Sequence, residues 1–251
     1  MAIGDVYKNP TVKQVIFQIV FPNFFSMETK IGDLQLKIME RFPKSSLLIQ
    51  SQFLISQQVS GKIVPSDSEK VQAKKIWQFK TEEEDVTLNI TVDSLDISSS
   101  KHKTYNNKGE ENKFRETISF IVNSFFEIIP LIKISKMGLR YLDDCPLPDD
   151  LTKESFLDYY NSFINFSNIE DIKSVNEFGF NITMKKDDLT IIYKEKLLKK
   201  NDRYKYDLDF DGQAMNIPVS EYLDKLDSLH DEITSCYHNI IKEPVIKLMN
   251  S

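Results

Sequence analysis

Glycine is scarce in this chain, with seven among 251 residues. That argues against long flexible linkers, and the sequence has no Walker loop, no Gly-x-Gly-x-x-Gly turn and no Gly-x-Ser-x-Gly elbow. Cysteine is scarcer still. Cys145 and Cys236 have no partners at zinc-finger spacing, and His102, His230 and His238 form no His-x-x-x-His pair. Neither a metal nor a cofactor is expected. Long apolar runs are also missing: the richest stretches, 15–25 and 118–134, are interrupted, the second by Asn123, Glu127 and Lys133. Neither approaches the roughly 20 apolar residues of a membrane-spanning helix, so no membrane partner is expected. The opening segment lacks a basic stretch followed by an apolar run, so no signal peptide is expected and the cysteines read as reduced thiols of a cytoplasmic protein.

Positive charge is not in excess. The formal net charge is −6, and residues 1–130 hold 16 basic and 16 acidic side chains, so the imbalance lies wholly in the second half. Affinity for phosphate backbones needs clustered positive charge, so the global field does not predict duplex DNA as a partner. A local basic segment, 194–205, contains Lys199, Lys200 and Arg203 and keeps a nucleic-acid reading open.

What is present is ordinary globular material, 41% hydrophobic and 28% charged, on a chain long enough for a substantial core. Residues 11–21 alternate β-branched and aromatic side chains and predict a strand buried largely on both sides. Ile31, Leu34, Ile38 and Phe42 fall at helical spacing ahead of Pro43. Segments 46–56, 75–82 and 86–98 predict strands, with 57–74 a polar loop between the first two. Phe114, Ile118, Ile121, Val122, Phe125 and Ile129 predict a helix that stops at Pro130. The second half runs in the same order: a strand at 131–142, a helix at 152–164, strands at 172–185, 189–199 and 203–212, and a helix from about 218. The predicted class is α+β, two repeats of β-α-β-β-β-α with mainly antiparallel sheets and helices on one face, divided as 1–130 and 131–251.

Two stretches invite chemical readings. In "YKYDLDFDG" (204–212), Asp207, Asp209 and Asp211 alternate before Gly212, as at the start of an EF-hand loop. The loop's twelfth position would be Pro218, which offers no side-chain ligand, and the preceding residues alternate as a strand. Period two instead puts the three aspartates on one strand face and Tyr206, Leu208 and Phe210 on the other. In "GLRY" (138–141), Arg140 sits in an otherwise apolar strand and needs a carboxylate partner, for which the aspartate row is the first choice. Arg140, Tyr141, Asp207 and Asp209 are therefore candidate binding residues alongside Lys199, Lys200 and Arg203. Cys145, among carboxylates in "DDCPLPDD", is a poor nucleophile because they would raise its thiol pKa.

The order of four short motifs resembles the "sporadically distributed" conserved family of bacterial and archaeal proteins of about this length, which has no established activity. The motifs here are Asn9-Pro10 before the first strand, Gly138 to Tyr141, Asp207-Leu208-Asp209, and Leu229-His230. The family's pattern has a second proline and then a glutamate in the opening strand, where this chain has Thr11 and Gln14, so no carboxylate role is implied there. Patchy distribution implies mobile or defence-associated genes and a protein partner encoded nearby, with the chain as an accessory or antitoxin-like subunit. Three readings stay open: a non-enzymatic binding and interaction protein, which leads; a protein binding RNA or single-stranded nucleic acid; and an enzyme of unrecognised type.

Overall fold

The computed structural model describes residues 7–52, 72–102, 104–107, 113–163, 166 and 169–251. Their strands are β1 (Val12–Val20), β2 (Lys44–Gln52), β3 (Gln72–Lys80), β4 (Val86–Ile90), β5 (Ser94–Ser99), β6 (Lys133–Cys145), β7 (Glu177–Lys186), β8 (Leu189–Lys200) and β9 (Arg203–Pro218). They form one sheet in the order β2-β3-β4-β5-β1-β6-β9-β8-β7, antiparallel throughout. The helices are α1 (Met27–Ile38), α2 (Phe114–Ile128), α3 (Lys153–Tyr159), α4 (Tyr222–Ile240) and α5 (Glu243–Asn250). The α+β class is as the periodicities predict.

The two halves meet at the middle of the sheet, where β1 pairs with β6 from Val20 opposite Lys136 to Val12 opposite Asp143. Strand alternation sorts the two faces. Phe17, Leu139, Leu208, Phe210 and Tyr193 are buried, and α4 lies against this face across β9, β6 and β8. The opposite face is polar and half exposed, so β1 is buried on one side and not, as expected, on both. Gln18 donates to Asp96 and Gln78 to Asn89 across neighbouring strands, and Gln213 donates to Asp211 within β9.

Several boundaries differ from the periodicity reading. Segment 86–98 is not one strand but the hairpin β4–β5, turned at Thr91–Asp93. No glycine marks that turn. The Thr91 hydroxyl makes it instead, donating to Asp93 at 2.6 Å and accepting from the Ser94 amide at 3.0 Å. Among the described residues the first half thus holds five strands and the second four, so the element orders of the halves are not identical. Pro130 lies between α2 and β6.

The helix expected over 152–164 starts on a Thr152–Ser155 capping box and stops at Tyr159, because Tyr160 turns extended to bridge Ile241. The last helix ends at Ile240 and α5 follows, with Pro244 in its first turn. Strand β3 begins at Gln72, inside the expected loop, while positions 53–71 lie outside the described residues. Strand β6 runs to Cys145, three residues beyond the expected end, and that extension decides where Asp143 points.

Candidate functional site

A cavity of about 400 Å³ opens on the helix-covered side of the sheet, where the two halves join. Its floor comes from the central strands: Val15 of β1, Tyr141 and Asp143 of β6, and Phe210 of β9. One wall is α4. Spacings of three and four place Asp227, His230, Thr234 and Tyr237 on a stripe beside the buried Leu226, Leu229 and Ile233. The other walls are residues 102 and 104–107, with His102 and Tyr105, and the approach to β1, with Tyr7, Pro10 and Thr11. That approach is fastened to the chain's end: the Asn9 amide donates to the Met249 carbonyl and its side chain to the Ser251 carbonyl, both at 2.8 Å.

Three bonded groups order the cavity. Arg115 donates from Nε and Nη2 to the two Asp227 oxygens at 2.7 and 2.8 Å, and the Tyr105 hydroxyl donates to the same carboxylate at 2.5 Å. Tyr105 stacks on His230 with centroids 3.9 Å apart, and the Tyr141 hydroxyl lies 2.9 Å from His230 Nδ1. The Thr11 hydroxyl donates to Asp143 at 2.7 Å. Its one proton being used there, it accepts from Tyr237 at 2.6 Å.

The charge states follow from this geometry. Burial alone would raise the Asp227 carboxyl, but the bonds from Arg115 and Tyr105 outweigh it and hold it below the ordinary range. Asp143 is 7% exposed. Burial raises it against the Thr11 bond, with help from the Asp209 charge, up to about 7. Burial lowers His230 to about 4 against the pull of Asp227. It likewise lowers His102 to about 4, with help from Lys101. Near neutral pH the site therefore holds two uncharged imidazoles and a carboxyl midway through its titration.

The candidate residues read from sequence divide among three places. Tyr141 lines the cavity. Arg140 is on the opposite face of the same strand, where Nε and Nη2 each donate to Asp209 at 2.7 Å. Asp209 also meets Lys194 at 3.2 Å, and Asp207 meets Lys205. Lys199, Lys200 and Arg203 sit at the β8–β9 turn, where Lys199 lies 3.6 Å from Asp202 and 5.6 Å above the Tyr204 ring. Cys145 is buried, and burial with nearby carboxylates raises its thiol pKa.

Sequence patterns alone gave no binding role to Asp143, Thr11, Tyr105 or Tyr237, and in the three histidines they showed only the absence of a metal-binding pair. His102 does pack, with Nδ1 2.7 Å from the Ser99 hydroxyl and Nε2 3.1 Å from that of Thr117. Yet all three histidines border the one cavity. A signal for Asp143 did exist: Leu139, Tyr141, Asp143 and Cys145 share a strand face, and a carboxylate in an otherwise apolar register is informative. Three of the four motifs behind the family resemblance also place a residue here, namely Pro10, Tyr141 and His230.

No family model, no curated protein and no solved structure matches the chain.

Proposed function

We propose that this chain is a non-enzymatic binding protein whose primary site is the cavity between its halves, and that its ligand is a small molecule. The observation that carries this reading is Asp143, a buried carboxylate on the cavity floor with no ion-pair partner among the described residues. Such a group costs stability, and groups of this kind cluster at functional sites. The volume lies within the range of small-ligand pockets, and the lining mixes tyrosine and phenylalanine rings with histidines, aspartates and neutral polar side chains.

The experiment is a thermal-shift and calorimetric screen of fragments of mixed charge. Hits should lose binding in Thr234→Phe, which fills the cavity from α4, and keep it in Arg140→Met on the far face. Hits indifferent to Thr234→Phe, or none at all, would sink the reading.

A second reading, catalysis, has one specific observation behind it: a carboxyl held near 7 beside a cavity suits general acid–base work. Turnover of a bound fragment, lost in Asp143→Asn, would establish it. The nucleic-acid reading draws less support, because Lys194, Lys196, Lys199 and Lys205 each face a carboxylate.

Membership of the sporadically distributed family, and a role as an accessory or antitoxin-like subunit beside a neighbouring gene's product, rest on motif order and are tested by co-expression with that product. A duplicated origin of the halves belongs to the same proposal. In its favour, each half begins at the sheet's centre and brings a later strand back beside its first, β5 beside β1 and β9 beside β6.

A further inference from the structure

Resting on the cavity being a binding site, the chemistry of its walls narrows what it takes. Among the described residues, the lining includes no lysine and no arginine, but it includes Asp143, Asp227 and Asp231. The charge of Asp227 is satisfied by Arg115, outside the lining, and by Tyr105. Asp143 accepts only a neutral hydroxyl, that of Thr11. An anionic ligand would meet this carboxylate with no counter-charge, and a neutral one would leave it unpaired. The lining also includes the rings of Tyr105, Tyr141, Tyr237 and Phe210, and aromatic ring faces attract cations. A bare metal ion fits poorly, since among the described residues no three His, Cys, Asp or Glu side chains are grouped to hold one.

We propose that the cavity binds a compact organic ammonium ion, its charged head on the Asp143 carboxylate and its apolar body against the tyrosine rings. Asp143 is the counter-ion, Thr11 and Tyr237 position it, and the aromatic rings select for the cation over its neutral analogue.

The test is calorimetric titration at pH 8 with phenethylamine, phenethyl alcohol and hydrocinnamate, a cation, a neutral molecule and an anion on one skeleton. The amine should bind at least roughly tenfold tighter than the alcohol, and the anion should not bind. Asp143→Asn, its folding checked by circular dichroism, should abolish the preference for the amine over the alcohol. Equal or tighter binding of the alcohol or the anion would overturn the ammonium proposal while leaving the cavity reading intact. Failure of all three to bind would overturn it as well, and the mixed fragment screen would then judge the cavity separately. Independently of any variant, a crystal structure with phenethylamine should place the nitrogen within hydrogen-bond distance of Asp143, and a nitrogen anywhere else would refute the assignment.

Discussion

The ion pair of Arg140 and Asp209 is geometrically strong, with two parallel bonds of 2.7 Å, but it is not deeply buried: the side chains are 38% and 16% exposed. Burial would raise the Asp209 carboxyl, and the Arg140 and Lys194 bonds outweigh it and depress it. Its contribution is therefore present above the unfolded carboxyl pKa of about 3.9 and is lost as pH falls through the depressed folded value. Arg140→Met should cost about 1 kcal/mol at neutral pH, since solvent screens the guanidinium and Lys194 stays behind with Asp209. Making Asp209 apolar as well should recover much of the loss. Urea denaturation of the four proteins of this cycle measures both effects, and a double variant no better than the single would refute a structural pair.

Among the elements, β9 and α4 explain why Gly212 follows the aspartate row. The glycine serves helix packing: a Cβ there would meet Ile233 at 3.0 Å and Leu229 at 3.1 Å, both on α4, and Ile191 at 3.3 Å on β8. Gly138, on the open face of β6, offers ordinary contacts of 3.8 and 3.9 Å to Gly212 and Asp211. Gly212→Ala should therefore destabilise by about 1–2 kcal/mol, and Gly212→Val by more, as α4 is pushed off the sheet. Gly138→Ala should be neutral or slightly stabilising, because it restricts the unfolded chain. Melting temperatures of the three variants decide this; equal losses at both positions would show that α4 does not press on β9. Because α4 also forms a cavity wall, Gly212→Val should weaken ligand binding too.

For the molecule as a whole, buried titratable groups oppose one another. His102 and His230 titrate near 4 when folded and near 6.5 unfolded, so between those values the native state holds fewer protons and stability rises with pH. Asp143 titrates near 7 when folded and near 3.9 unfolded, so over that span the native state holds one more proton and stability falls with pH. Two groups against one make these three residues together raise stability with pH up to about 6.5, with a slight decline beyond. In Asp143→Asn the climb should steepen and stability at pH 8 should exceed that of the parent. Urea titrations from pH 4.5 to 8 would show this, and an unchanged profile in the variant would refute a carboxyl held near 7.

Much of this architecture was legible in the chain because it depends on neighbours in sequence. Alternation over 203–212 placed Tyr206, Leu208 and Phe210 inward and the three aspartates outward, and it named the carboxylate row that Arg140 meets. Those are local consequences of a two-residue period. The split at Thr91 was not legible, because side-chain bonding rather than glycine makes that turn. The cavity was not legible either. Thr11, Tyr105, Asp143 and the α4 pair His230 and Tyr237 come from four separate segments, and apart from Asp143 none is unusual in its own window. Residue order alone determined how side chains alternate between the two faces of a strand such as β9. Only the pairing of β1 with β6, and the setting of α4 across them, decided which inward-facing groups would share one space. Long-range register is fixed by packing between distant segments, a quantity that no local period contains.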